Sequence, residues 1–351
     1  MVFVTLFTRF KNVHFLKDVG MIPYHMHRDH GCVSIIAANR NEEAYPYLEE
    51  YAKGVRMHFF KGRGISYILR NAKKIDILNV YHLNLQSFFL LLFFKGLRKK
   101  GAKSYLKLDM DERGLKRLFM KNPVGFIKRR TVGLADVVSA ETEDIYGKLK
   151  ESFGKKIIFV TNGYHTEDDA PQTDFEKKKE ILTVGMLGTE AKATDVLIRA
   201  FVKAAGDRKD WTLRLAGPVD DSFINPHPDD DRIVFEGEIR DRERLKDLYR
   251  DASVFAFPSR HESFGIVMLE AASCGDMIVS TKGVPAARDI LKITKNGRIT
   301  DIDDVDALAG VFRECMESGK DWNAAAQETA RLAFENYRWE EIVDTLAESL
   351  L

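Results

Sequence analysis

At 351 residues, 45% hydrophobic and 11% aromatic, the chain is long enough for two domains and too apolar to be disordered. Its three cysteines, Cys32, Cys274 and Cys315, lie far apart; they exclude a disulfide scaffold and a thiolate zinc site and imply a reducing, cytoplasmic compartment. The net charge of +1 hides a split, because residues 1–165 hold 29 Lys and Arg against 15 Asp and Glu, a net +14, while the remainder carries −13. An asymmetry of that size implies an anionic partner for the first half.

Strand-like runs alternate with helix-length segments from end to end, the pattern of parallel sheets joined by crossover helices. The first run, Val2–Phe7, lacks the leading charge and length of a secretion signal. Thr8-Arg9-Phe10-Lys11-Asn12 follows it as a loop at a strand C-terminus, where Arg9 and Lys11 can face a ligand. The next helix is expected to reach His30 and stop at Gly31. Further strands are predicted at Val33–Ala37, Val55–Phe60 and Asp76–Val80, the last leading into Tyr81-His82-Leu-Asn. Phe88–Phe94 is far shorter than the roughly 20 residues that span a bilayer and reads as a buried core helix. The stretch Lys95–Arg130 then sets 13 basic residues against Asp109, Asp111 and Glu112. It contains the strand Ser104–Leu108, and Asp136–Ala140 and Ile157–Thr161 complete the first half. His82 and Asp109 follow strand ends and are the candidates for contacting a hydroxyl of a bound ligand, although an Asp there also commonly caps a helix.

His165–Asp174 is polar, contains Pro171 and has no apolar period, so it reads as a linker. Strands resume at Ile181–Gly185, Thr212–Gly217, Ile233–Glu236, Ser253–Pro258 and Met277–Thr281. Domains are therefore expected at 1–165 and 166–335, each doubly wound, with a ligand in the cleft at their strand C-termini. Residues 336–351 place Trp339, Ile342, Val343, Leu346 and Leu350 at helical spacing. That terminal helix either covers a core or braces the two domains.

The densest chemistry lies in Pro258-Ser-Arg-His-Glu-Ser-Phe-Gly-Ile-Val-Met-Leu-Glu-Ala-Ala-Ser-Cys-Gly, which leaves a strand and opens into a helix. Glu262-Ser263-Phe264-Gly265 falls at the helix N-terminus, where free N–H groups and the dipole favour a phosphate, and Gly265 permits close approach. Glu262 would repel a bare phosphate and suits sugar hydroxyls. Glu270 comes about two helical turns later.

The Glu-x7-Glu string resembles the donor-site signature of retaining glycosyltransferases of family 4. These are α/β proteins of the GT-B fold, with two Rossmann-like domains facing across a cleft. Val184-Gly-Met-Leu-Gly-Thr-Glu-Ala-Lys-Ala-Thr-Asp resembles the family's strand and loop bearing a phosphate-binding lysine, here Lys192. Leu213-Arg-Leu-Ala-Gly-Pro and Ile233-Val-Phe-Glu-Gly-Glu-Ile resemble its next two strands, and Thr161-Asn-Gly the close of its N-terminal domain. The likeness covers roughly Ile157–Leu351 and is architectural before that.

The resemblance implies that Lys192 neutralises the donor diphosphate and that Ser263, Phe264 and Gly265, with Ile266 beside them, offer donors to sugar and phosphates. Glu262 would bind hydroxyls of the transferred sugar, Glu270 the ribose hydroxyls, and Glu238 and Ile239 would border the nucleobase. Two departures stand out. Met186 occupies the place of the family's second diphosphate clamp, an Arg; Arg9 and Lys282 are the candidates to replace it, failing which turnover is weak or absent. Asp276 stands where Pro is usual and is expected to affect only the turn.

The implied activity is retaining, hexosyltransferase-type transfer from a nucleotide diphosphate sugar to a hydroxyl of a sugar, lipid-linked or glycan acceptor, in polysaccharide, glycolipid or cell-envelope glycan synthesis. No metal or other cofactor is expected: Asp109-x-Asp111 mimics the metal-binding pair of the other glycosyltransferase fold only in spacing. A non-catalytic binding protein of the same fold and a nucleotide-sugar epimerase are the alternatives, and a dehydrogenase is disfavoured because no strand precedes Gly-x-Gly-x-x-Gly. The basic half fits an anionic membrane surface, reached from the cytoplasmic face, better than nucleic acid, for which no reader motif is present.

Overall fold

The computed structural model describes residues 1–166, 170–319 and 321–351. The chain divides into two compact units, Met1–His165 with Tyr337–Leu351, and Thr166–Asn336. Residues 167–169 of the predicted linker lie outside the described residues.

The first unit is built on seven parallel strands: β1 (Val2–Leu6), β2 (Val33–Ala38), β3 (Arg56–Phe59), β4 (Ile77–Tyr81), β5 (Lys103–Leu108), β6 (Val137–Ala140) and β7 (Ile157–Phe159). Their order is β3-β2-β1-β4-β5-β6-β7. The central strands are buried without alternation because helices cover both faces of a parallel sheet; β4 is buried throughout, whereas the edge strand β3 shows alternate residues to solvent. Chain order reverses between β1 and β4, the place where such sheets bind ligands at their strand C-termini.

The second unit repeats the plan with six strands: β8 (Lys178–Val184), β9 (Thr212–Ala216), β10 (Ile233–Gly237), β11 (Ala252–Phe257), β12 (Met277–Thr281) and β13 (Gly297–Thr300), in the order β10-β9-β8-β11-β12-β13. Its switch point lies between β8 and β11. The strand β13 was not anticipated: Gly-Arg-Ile-Thr is short, half-exposed and on the sheet edge, so it has no apolar signature. β8 starts earlier than expected because its polar end is held in the sheet, Arg214 donating two hydrogen bonds to Glu180 at 2.8 and 3.2 Å.

Three further differences have plain causes. The helix Leu85–Leu97 buries Leu90, Leu91 and Phe94 but leaves Leu92 and Leu97 exposed, so the Phe88–Phe94 run is half core and half surface. The helix Trp339–Leu350 belongs to the first unit, where Trp339, Val343 and Leu346 pack with Phe3, Ile22, Met26 and Tyr105. Asp276 reaches beyond its turn: fully buried, its Oδ1 lies 2.6 Å from Lys177 Nζ, which also donates to the carbonyls of Tyr249 at 3.0 Å and Cys274 at 2.6 Å.

Gly217 ends β9 with φ +137°, and a Cβ there would lie 1.8 Å from the Gly185 carbonyl oxygen beyond β8. No rotamer relieves a clash with backbone. Gly217→Ala is expected to destabilise the second unit by about 1–3 kcal/mol or more, read as a lower melting temperature.

Candidate functional site

In the second unit the loops after β8 and β11 are locked together by Arg260. Its backbone N–H donates to Ala191 O at 2.9 Å, and its guanidinium reaches Glu190 O at 2.6 Å, Asp303 Oδ1 at 2.6 Å and Asp195 Oδ1 at 3.3 Å. This lock sets Lys192 opposite Glu262. The Lys192 ammonium donates to the Glu262 carboxylate and lies 4.5 Å from the centre of the Phe257 ring, so a cation is held on an aromatic face beside a carboxylate. Glu262 is fixed in turn by its own N–H, which donates to Gly283 O at 3.2 Å.

The next residues turn sharply. Gly265 has φ +81°, and a Cβ on it would meet Phe257 Cε1 at 2.8 Å, so only glycine fits. Phe264 is buried and anchors the turn. The N–H groups of Phe264, Gly265 and Ile266 have no acceptor among the described residues, while Ser263 N–H donates weakly to Glu262 Oε1 at 3.3 Å. The helix that follows is only Val267–Ser273, so its dipole is small and the amides themselves are the anion-binding feature.

Glu270 is held apart from that pair. Its Oε2 accepts from the Tyr249 hydroxyl at 3.1 Å and its Oε1 from Arg242 Nη2 at 3.4 Å. Burial and the neighbouring Glu270 charge push the Tyr249 hydroxyl well above its usual range, so it stays a donor. Arg242 opens the helix Arg242–Asp251, capped by Asp241, and so ties the Glu238–Ile239 loop to Glu270; Glu238 itself is exposed and paired with Arg240 at 3.0 Å. Met186 is 49% exposed after β8. Lys282 pairs with Asp301 at 2.5 Å and Arg260 is committed to the lock, so neither is drawn to the Lys192–Glu262 pair.

In the first unit His82, Asp109, Arg9 and Lys11 all lie at the C-terminal edge of the sheet. His82 adopts φ +64°, a left-handed conformation uncommon outside glycine, and its N–H donates to Lys107 O at 3.3 Å. The Phe7 ring, leading to Arg9, stands 5.8 Å from the His82 ring. Asp109 is exposed, and the helix cap is its neighbour Asp111, which accepts from Gly114 N at 2.7 Å. Arg9 and Lys11 are exposed.

Beneath Asp109 lies a cluster that the sequence reading did not assemble. Lys107 is fully buried, its Nζ 2.9 Å from Asn162 Oδ1 and 3.3 Å from both Glu141 Oε2 and Asp18 Oδ2. Burial alone would lower the lysine's pKa, but Asp18 and Glu141 outweigh it and hold the ammonium charged. Burial pushes the Glu141 carboxyl well above its usual range against the pull of Lys107. Nearby, burial and Lys17 lower His14 to about 4, and its Nδ1 accepts from Lys11 N–H at 2.7 Å, so the ring is neutral. The available signal was a lone lysine inside the run Ser104–Leu108; its partners come from a helix start and two loops elsewhere in the sequence. Among the described residues no group of three or more His, Cys, Asp or Glu side chains is placed to hold a metal ion, and no helix is long and apolar enough to cross a membrane.

Two Rossmann-like parallel sheets, the second bearing a lysine–carboxylate pair beside free amides, define a protein of the GT-B fold. Residues 165–333 match the model for glycosyl transferases group 1. The chain is similar to the D-inositol 3-phosphate glycosyltransferase of Mycolicibacterium smegmatis, 31% identical over 45% of this chain and 37% of that protein. It is also similar to the phosphatidyl-myo-inositol mannosyltransferase of the same organism, 26% identical over 48% and 45% of the two chains. The matched stretches thus span less than half of those relatives. Over the whole chain the fold matches HepE of Anabaena in complex with UDP (TM-score 0.72, 15% identity, 100% and 99% covered). Sucrose-phosphate synthase from Thermosynechococcus elongatus is similar too (TM-score 0.71, 14% identity, 99% and 98% covered).

Proposed function

We propose that the protein transfers a hexosyl group from a nucleoside diphosphate sugar to an acceptor hydroxyl, with retention at the anomeric carbon and without a metal. The observation that carries this reading is the Lys192–Glu262 pair beside the unpartnered N–H groups of Phe264, Gly265 and Ile266. A diphosphate leaving group gains negative charge as the bond from the anomeric carbon to its oxygen breaks. Lys192 and the amides are donors aimed at that charge before it develops, so they need no reorganisation. Glu262, relieved of Lys192 by the diphosphate, accepts from hydroxyls of the sugar. Glu270, steadied by Tyr249 and Arg242, accepts from the two ribose hydroxyls.

The first unit would supply the acceptor. The acceptor's hydroxyl oxygen forms the new bond to the anomeric carbon and its proton passes to the departing diphosphate oxygen, with Asp109 and His82 as the first unit's candidates for binding the acceptor. Arg9 and Lys11 suit an acceptor that carries phosphate. The names of the M. smegmatis relatives support an acceptor of the polyol or glycolipid class, and HepE supports UDP as the nucleotide to try first.

Met186 favours a second reading, a binding protein that holds the nucleotide without turnover, because a guanidinium is missing where the leaving group develops charge. One chromatogram separates the possibilities. Incubation with UDP-glucose and phosphatidylinositol or inositol phosphate as acceptors is expected to release UDP together with a glycosylated acceptor. A changed UDP-sugar would identify an epimerase, and intact donor despite binding would identify the binding protein.

A further inference from the structure

Between the helices Glu112–Phe119 and Pro123–Leu134 the chain makes a tight turn that is fixed from inside. Arg129 Nη1 donates to Leu118 O at 2.8 Å and Met120 O at 3.0 Å, and Asn122 Oδ1 accepts from Gly125 N at 2.8 Å. Gly125 sits so close that a Cβ would lie 2.1 Å from Met120 O. Yet this rigid turn shows four large apolar side chains to solvent: Phe119 (41% exposed), Met120 (48%), Val124 (56%) and Phe126 (53%). Phe119 keeps one partner, stacking on Phe153 at 6.2 Å, but the turn as a whole leaves a contiguous apolar cluster in water, and a cluster of this kind marks an interaction site.

The charge around them is of one sign. Residues 113–135 contain seven Lys and Arg and no acid. Lys116, Arg117, Lys121 and Arg130 make no ion pair among the described residues, and Arg130 lies 5.2 Å over the Phe126 ring. Lys128 has its pKa lowered by burial and then by the Arg117 charge, which shows cations crowding one another without a counter-charge. The helix Leu85–Leu97 packs against Pro123–Leu134 and adds exposed Leu92 and Leu97 with Lys100 beyond them, Lys99 being paired with Asp76 at 2.6 Å.

We infer that the turn 119–126 and the cations around it form a docking surface for an anionic lipid bilayer. Phosphates of lipid headgroups match the unpaired Lys and Arg, and the apolar tips enter the acyl boundary. A nucleic acid or an acidic protein would satisfy the cations but would leave Met120 and Val124 without a role. The surface belongs to the first unit alone and does not depend on the donor chemistry proposed above.

Sedimentation of the full chain with phosphatidylcholine vesicles, with and without phosphatidylglycerol, tests this. Binding is expected only when phosphatidylglycerol is present, and it should weaken steeply with added salt. Val124→Asp/Phe126→Asp should weaken it at least tenfold with an unchanged melting temperature, because both side chains are exposed. Lys121→Glu/Arg130→Glu should do the same, and either pair suffices if the other fails to fold. Equal binding to neutral vesicles, no binding to anionic ones, or binding indifferent to both pairs would overturn the inference. So would a self-associated species, seen by equilibrium sedimentation, that Val124→Asp/Phe126→Asp dissolves.

Discussion

Replacing Lys192 by alanine is expected to lower kcat for release of nucleoside diphosphate by about 10²–10³-fold, the size seen when one pre-placed donor to a developing oxyanion is lost. The expectation rests on geometry. The ammonium is held at one point by the Glu262 carboxylate and the Phe257 ring, and the Arg260 lock keeps both loops in register. Met186 offers no second cation, so the loss should lie at the upper end of that range. Stability should change little, because both members of the pair are partly exposed. Glu262→Gln keeps a hydroxyl acceptor but releases the lysine, and should spare nucleotide affinity while lowering kcat. Steady-state assays of both variants on UDP-glucose check this; activity of Lys192→Ala within threefold of the parent would place the diphosphate elsewhere.

The largest expected effect on stability lies at Lys177. Lys177→Met should cost about 3–5 kcal/mol at pH 8, because Asp276 must then stay ionised without its counter-charge or take up a proton, and the Tyr249 and Cys274 carbonyls lose their donor. Asp276 Oδ2 already lacks a hydrogen-bond partner. Burial raises the Asp276 carboxyl to about 7 even against the opposing pull of Lys177. Its folded pKa is therefore above its unfolded value of about 3.9. The folded state holds the extra proton between those values, so this group's contribution is fully present below about pH 4 and is lost as pH rises through about 7. Removing Lys177 should push the folded value higher still, and the deficit of Lys177→Met should be larger at pH 8 than at pH 5. Urea unfolding at both pH values measures it. Adding Asp276→Asn should recover part of the loss at pH 8 and little at pH 5.

Much of this architecture was legible in the residues because parallel strands buried on both faces are runs of apolar residues bounded by turns. Val2–Leu6, Ile77–Tyr81 and Ala252–Phe257 are of this kind. Gly-Arg-Ile-Thr at β13 was not legible, since an edge strand with one polar face carries no such run. Within the second unit, the linear string Glu262–Glu270 located a loop and a helix but not their partners. That Lys192 meets Glu262, and that Tyr249 and Arg242 meet Glu270, follows from packing between segments far apart in sequence. Long-range polar contacts leave no period to read. The same limit hid the buried lysine cluster, where Lys107 sits among Asp18, Glu141 and Asn162 from three other segments. It also hid the reach of Asp276, whose partner Lys177 stands nearly a hundred residues upstream. Asp109 and Asp111 show how alike two readings are in sequence: the second caps the helix, which leaves the first exposed.

Calorimetric titration with UDP, on the parent protein, Lys192→Ala and Glu270→Ala, tests the donor site most directly. The parent is expected to bind a single UDP, and saturation at 100 times Kd should also stabilise the fold by about 2.7 kcal/mol. Each variant should bind at least tenfold more weakly, Lys192→Ala through the diphosphate and Glu270→Ala through the ribose. A parallel titration with uridine, which lacks the diphosphate, should be insensitive to Lys192→Ala and sensitive to Glu270→Ala. UDP binding unchanged in both variants would contradict the assignment of these residues to the donor.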